Sequence, residues 1–210
     1  MYTLYYSPGA SSFSVHAVLN SLGVPFELVE TSINSGKNRR AEYLKLNARG
    51  QVPILIEGDK ILRESTAILL YLIDKHQSPL LPKEPWQRAK ALEWLTFCTT
   101  TLQQAYVAYF MMSRVLKDEA MRTEVLRICS KRIQKLWEDI ETNLERGAYL
   151  CGNGIAVGDI VLTVIANWSQ AITPAITLAE KTKALCAKVI KQPYYAKALA
   201  TEKIEYKVAN

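Results

Sequence analysis

One change of pattern constrains this chain more than any other feature. As far as about residue 76 the sequence alternates short β-prone runs with amphipathic helical stretches, and beyond about residue 86 only helical periods remain. Between them lies HQSPLLPKEPWQ, with Pro79, Pro82 and Pro85 inside seven residues. Proline fixes φ and lacks the amide hydrogen that a helix interior needs, so this stretch reads as a connection between two folding units. The expectation is an α/β domain over 1–77, a linker over 78–86 and an all-helical domain over 87–210, a division that suits a chain of 210 residues.

In the first part, YTLYY (2–6), FELVE (26–30) and PILIE (53–57) read as strands, and Gly58-Asp59 is a two-residue connector that turns the third into KILRE. Val15, Val18, Leu19 and Leu22 recur at helical spacing, with Gly23 as the stop. A short helix near Ala41–Leu46 and another from Ser65 to about His76 complete the order β-α-β-α-β-β-α. In the second part, Leu92, Leu95, Thr99, Leu102, Tyr106 and Tyr109 mark one face of a long helix, and Leu126, Cys129, Ile133, Leu136, Ile140 and Leu144 mark another that ends at Gly147. The block from Ile160 to Trp168 is apolar nearly all round and is predicted to be the buried centre of the helical part.

Composition narrows the function. Hydrophobic residues make up 49% and charged residues 22%, the balance of a soluble globular protein. No basic segment followed by an apolar stretch marks an export signal at the start. The run from Ile160 to Trp168 falls far short of the roughly 18 apolar residues that a membrane span needs. Cys98, Cys129, Cys151 and Cys186 form no CxxC pair, which argues against a zinc site or a disulfide framework and points to a reducing cytoplasm. The net charge of +6 is scattered, Arg39-Arg40 being the densest cluster apart from alternating helical charges, so nucleic acid is not the expected partner. Acidic small molecules suit such a surface.

Three stretches carry candidate chemistry. In LYYSPGASSFSVH (4–16) a strand breaks at Pro8-Gly9, and Ser11 and Ser12 stand where a helix begins. The first amides of a helix lack partners and its dipole favours an anion there. Either hydroxyl can cap the helix, or one can cap while the other donates to a bound anion; the residues leave both readings open. In GQVPIL, Val52 precedes a proline, is pushed toward extended backbone, and can pair its N–H and C=O with an extended ligand. In RESTAILLYLIDKH, Ser65 reads as an N-cap, while Glu64 can accept from a ligand ammonium as the helix start receives a carboxylate. His16 follows Ser12 by four positions, but without a placed acid or oxyanion hole the two are only helix neighbours, and packing or a surface hydrogen bond is the expected role of His16. Cys98 is read as a small hydrophobe without function.

Taken in order, YYSPGASS, NARGQVPIL, LRESTAILLYL and GIAVGDIVLTVIANW resemble the cytosolic glutathione S-transferases, and the first motif is most similar to the bacterial beta class. The resemblance covers essentially the whole chain. It implies an α/β plus all-α architecture, in which a thioredoxin-like domain with a mixed four-stranded sheet precedes a helical bundle. It also implies a homodimer, and glutathione bound by the first domain as a cosubstrate rather than a tightly held cofactor. Gln51, Val52 and Pro53 match the residues that hold the cysteinyl part of glutathione, Pro53 being the family's cis-proline. Glu64 and Ser65 match the pair that grips the γ-glutamyl end, and Lys37 lies near the position that meets the glycyl carboxylate. Tyr6 matches the tyrosine closing the first strand.

Departures from the beta pattern bear on chemistry. Ser11 stands where a cysteine is usual, and Gln103-Gln104 replace a His-Lys pair. A mixed disulfide with glutathione therefore cannot form at position 11. What remains resembles the serine-type transferases, in which a hydroxyl donates to the glutathione sulfur; Ser11 is the first choice, Ser12 its competitor and Tyr6 the third. Asp159 matches the acidic half of the family's capping box, but Ala156 supplies no hydroxyl. Tyr106, Tyr109, Phe110, Met111 and Met112 line either an acceptor pocket or ordinary core and dimer packing. The expected activity is conjugation of glutathione to hydrophobic electrophiles. The alternatives are a non-catalytic binding or regulatory protein, and a peroxidase or reductase using glutathione's own thiol.

Overall fold

The computed structural model describes residues 1–144 and 146–208. Strand β1 (Tyr2–Tyr6) sends Tyr2, Leu4 and Tyr6 into the interior by simple alternation. It pairs in parallel with β2 (Phe26–Glu30), reached through helix α1 (Ser12–Leu22), and antiparallel with β3 (Ile54–Glu57), which pairs antiparallel with β4 (Lys60–Arg63). The mixed sheet runs β2-β1-β3-β4, as the family resemblance implies. Helix α1 buries Phe13, Val15, Val18 and Leu19, and stops at Gly23, whose φ of +64° suits glycine and whose N–H reaches the Asn20 carbonyl at 3.2 Å. A single 3₁₀ turn (Lys37–Arg39) and helix α2 (Ala41–Leu46) lead to β3, and helix α3 (Ser65–Lys75) buries Ile68, Leu69, Leu72 and Ile73.

The described chain divides into two units, Met1–Leu81 with Ile190–Glu205, and Pro82–Val189 with the residues from Tyr206 on. This departs from the expected all-helical domain over 87–210. Helix α9 (Pro193–Glu202) packs on α1 within the first unit: the Phe13 and Tyr195 rings lie 5.0 Å apart, and Asn20 Nδ2 donates to the Tyr194 carbonyl at 3.2 Å. The physical reason is the apolar second face of α1, which α9 covers.

In the second unit, helix α4 (Pro85–Thr96) starts inside the stretch expected to be linker. Pro85 occupies the first helical position, where a missing amide costs nothing, and the Glu84 carboxylate accepts from Trp86 N and Gln87 N at 3.1 and 2.8 Å. The expected single long helix is interrupted by a π turn over Phe97–Leu102 before α5 (Gln103–Val115); Thr99 and Thr100 hydroxyls there donate back to the carbonyls of Leu95 and Thr96 at 3.0 and 2.8 Å. Helices α6 (Glu119–Leu144), α7 (Val157–Trp168) and α8 (Glu180–Ile190) complete the unit. Every residue from Val157 to Ala166 is buried, so the apolar block predicted over Ile160–Trp168 is buried as far as Ala166, whereas Asn167 and Trp168 are half-buried. Among the described residues no helix is long and apolar enough to cross a membrane, and no group of His, Cys, Asp or Glu side chains could hold a metal ion.

Candidate functional site

The loop after β1 is locked from beneath. Ser12 is fully buried; its hydroxyl accepts from the Ser7 amide at 3.1 Å and donates to the Ser7 carbonyl at 3.2 Å. The Ser7 hydroxyl accepts from Ile33 N at 3.1 Å. Gly9 has a φ of +68°, and its amide donates to Glu202 Oε2 at 3.0 Å, while His16 Nδ1–H donates to Glu202 Oε1 at 2.8 Å. His16 is thus buried and paired rather than on the surface, and the site has a supporting residue that the sequence reading missed. The only signal for Glu202 was its place on a helical face with Tyr195 and Ala198, an acid among apolar neighbours.

Ser11 differs from its neighbour. It sits at the N-cap position of α1 with φ −56° and ψ −24°, and its hydroxyl makes no cap bond. The capping reading therefore fails for both serines. Ser11 is half-buried, and its Oγ donates a long bond, 3.4 Å, to the carbonyl of Val52. Tyr6 is buried, and its phenol is pushed above its ordinary pKa by burial and then by the charges of Glu202 and Glu30.

Val52 is held by its predecessors. The Gln51 carbonyl accepts from Tyr43 Oη at 2.7 Å and Asn47 Nδ2 at 2.8 Å, the Arg49 amide donates to Asn47 Oδ1 at 3.2 Å, and Asn38 Nδ2 donates to the Gly50 carbonyl at 2.7 Å. Gly50 combines a φ of +64° with a backbone so close that a Cβ would meet the Asn38 carbonyl oxygen at 2.9 Å, so only glycine fits the turn. Val52 packs with Tyr43 and Ile54, and Ala10 lies against that cluster. The Val52–Pro53 bond is cis. The structure thus brings Ser11 and the edge at Val52 and Pro53 together, with the Gln51 side chain exposed beside them.

At the third stretch, Glu64 rather than Ser65 occupies the N-cap position of α3, with φ 68° and ψ 118°, and Ser65 is the first helical residue. A non-glycine residue in that region of backbone space is strained. The Glu64 side chain is exposed and its Oε1 lies 3.0 Å from Arg49 Nη2, which ties it to the Val52 loop. Neighbouring Arg63 donates through Nε to the Leu46 carbonyl at 2.8 Å, and through Nη2 to the same atom. Lys37 is not gathered into these contacts: its Nζ lies 3.4 Å from Glu30 Oε1. Asn47 and Arg49 stand inside the NARGQVPIL stretch, but nothing in its residue pattern marks them as holding the loop, and Tyr43 lies outside the quoted motifs.

The mixed sheet, with the strand-to-helix mouth at Ser11, the extended edge at Val52 and the strained start of α3, forms a thioredoxin-like unit, joined to a helical unit. The chain belongs to the glutathione S-transferase family. Residues 1–74 match the family's N-terminal domain and 97–193 its C-terminal domain. Glutathione S-transferase 3 of Zea mays is 30% identical over 177 residues, covering 82% of this chain and 76% of its own. Glutathione S-transferase GstA of Escherichia coli O157:H7 is 27% identical over 203 residues, covering 95% and 98%. A glutathione transferase homologue from Sulfitobacter, solved with bound glutathione, superposes with a TM-score of 0.86 at 22% identity, covering 97% and 99%.

Proposed function

We propose that this chain is an active glutathione transferase that binds glutathione in its first unit, favours its thiolate form with the Ser11 hydroxyl, and directs that thiolate at a hydrophobic electrophile. Gln51, Val52 and Pro53 would hold the cysteinyl part, Glu64 and Ser65 the γ-glutamyl end, and Lys37 the glycyl carboxylate. The observation that carries the reading is the contrast of the two serines: the Ser12 hydroxyl is committed to both polar backbone atoms of buried Ser7, whereas the Ser11 hydroxyl is half-buried beside the Val52 carbonyl.

The magnitudes suffice. A thiol of pKa about 8.5 is only a few per cent ionised at neutral pH, and lowering it by two units takes about 2.7 kcal/mol. A charge-assisted hydrogen bond supplies roughly 1.5–3 kcal/mol and a helix N-terminus about 0.3–1. With glutathione bound, Ser11→Ala should abolish most turnover with aromatic halides, isothiocyanates or hydroperoxides, whereas Ser12→Ala should retain it in the fraction that folds. We further propose a cytoplasmic homodimer; sedimentation as a monomer near 24 kDa would contradict the dimer.

A second reading is favoured by Ser11, Gln103 and Gln104, which replace the beta-type cysteine and His-Lys pair. On that reading the chain binds glutathione without turning it over. Tight binding with no turnover of any of the three acceptor classes would select it.

A further inference from the structure

The cluster around Arg39-Arg40 lies in the first unit, beside the Val52 edge. Between Gly36 and Gln51 stand Lys37, Arg39, Arg40, Lys45 and Arg49 against the single acid Glu42, a net side-chain charge of +4 out of the chain's +6. The rest of Met1–Leu81 carries three cations and six acids, so this segment is a positive island on an otherwise acidic surface. Asn38 Nδ2 ties it to the Gly50 carbonyl at 2.7 Å, and Tyr43 Oη ties it to the Gln51 carbonyl at 2.7 Å. The Arg39 guanidinium lies over Gly50 itself, where a Cβ would meet its Nη1 at 3.0 Å. Two of the cations have acidic partners, Lys37 with Glu30 at 3.4 Å and Arg49 with Glu64 at 3.0 Å. Arg39, Arg40 and Lys45 are exposed and form no ion pair among the described residues. Like charges gathered without partners add nothing to the fold, but they raise the potential over the neighbouring surface. Glutathione, with two carboxylates and one ammonium, is a net anion, and its thiolate form is more negative still.

We propose that Arg39, Arg40 and Lys45 form a steering surface that draws anionic thiol peptides to the Ser11–Val52 edge and sets their association rate from a distance, without holding the bound ligand. The inference rests on the glutathione reading above and adds what governs the ligand's arrival. Coulomb's law in water gives each cation about a twofold effect on a unit anion about 10 Å away, so the three together give roughly eightfold. Salt removes that gain, because the screening length falls from about 30 Å at 0.01 M ionic strength to about 3 Å at 1 M. Charges at the rim of a site act on kon, whereas groups in contact with a ligand act on koff, so steering is separable from binding.

The test is an NMR lineshape titration of the full chain with glutathione, which yields kon and koff separately whether or not the thiol ionises. At about 0.01 M ionic strength the triple variant Arg39→Gln/Arg40→Gln/Lys45→Gln should lower kon about eightfold and leave koff unchanged, and at about 1 M the two proteins should coincide. Arg40→Gln/Lys45→Gln, which keeps Arg39 packed over Gly50, should lower kon about fourfold. Lys117→Gln/Lys131→Gln/Arg132→Gln removes the same net charge elsewhere in the chain and should lower kon by no more than about twofold. The glycyl monoethyl ester of glutathione has no net charge, and its kon should be the same for the native chain and the triple variant. An unchanged kon in the triple variant, a change confined to koff, an equal loss in the Lys117 set, or an equal loss with the ester would overturn the proposal while leaving the glutathione reading intact. A native chain whose spectrum glutathione does not perturb would overturn that reading, and this inference with it.

Discussion

His16 and Glu202, 186 positions apart in the chain, meet in a 2.8 Å hydrogen bond with side chains 1% and 0% exposed. The second Glu202 oxygen takes the Gly9 amide at 3.0 Å, so the last helix of the first unit holds both the loop before α1 and the first turns of α1 itself. Removing one partner of a buried pair leaves the other uncompensated, at a cost of about 3–5 kcal/mol. Glu202→Ala should therefore lower the urea midpoint sharply, and Glu202→Gln, which keeps one acceptor, should lower it less. A change below about 1 kcal/mol for Glu202→Ala would show that α9 does not anchor the loop.

The adjacent serines should separate cleanly in two assays. Ser12→Ala strands the buried amide of Ser7, whose carbonyl keeps the Ala10 amide at 3.0 Å, and should cost about 1–3 kcal/mol of stability. Ser11→Ala removes a half-buried hydroxyl whose one bond is long, and should change stability by no more than about 0.5 kcal/mol. On the proposed mechanism, however, it raises the pKa of the bound glutathione thiol by about one to two units. Ultraviolet difference titration of the complex reads that pKa directly. An unchanged thiol ionisation in Ser11→Ala would remove Ser11 from the mechanism.

Legibility followed the range of the interactions. The strands, α1, α3 and the buried block of α7 came from periods of two and three to four residues, and the stop at Gly23 from one local conformation. The three site stretches were visible because each combines a turn residue with a strand end or a helix start. What escaped was set by partners distant in sequence. Asn38, Tyr43 and Asn47 act through bonds to the backbone of Gly50 and Gln51, and no residue pattern announces such bonds. The placement of α9 depended on which helix had a second apolar face to cover, and with it went the role of Glu202. The start of α4 was legible after all, since Pro85 after Glu84 is an N-terminus signal as well as a break.

Glu141 caps a helix other than its own. Its carboxylate accepts from Lys181 N at 3.0 Å, Thr182 N at 2.9 Å and Thr182 Oγ1 at 2.8 Å, at the start of α8. Burial raises its pKa, but those bonds favour the charged form and the net shift is downward. A carboxylate whose folded pKa is depressed stabilises the fold above its unfolded pKa, and that contribution is lost as pH falls through the folded value. Glu141→Gln should thus be most destabilising at neutral pH, with the difference from the native chain shrinking in acid. Melting curves of both proteins across the acid range check this; a difference that is constant with pH would mean that the charge of Glu141 does not matter.

Asp159 should show the opposite signature. It is wholly buried, its Oδ1 accepts from Leu150 N at 2.9 Å and its Oδ2 from Ala156 N at 2.7 Å, while Ala156 returns no bond because it has no hydroxyl. Half a capping box is present, as the sequence indicates. Burial pushes the carboxyl up from 3.8 to about 6, against the pull of the amides that favour its charged form. Between those two values the folded chain holds a proton that the unfolded chain has released, so this group's contribution to stability falls as pH rises through the window. Two pKa units correspond to about 3 kcal/mol. Asp159→Asn carries no charge at any pH. The native chain should therefore lose up to about 3 kcal/mol relative to that variant between about pH 4 and pH 7, read as the gap between their urea midpoints. Parallel stability curves for the two proteins would show that the amides of Leu150 and Ala156 fully offset the burial, leaving Asp159 an ordinary charged cap.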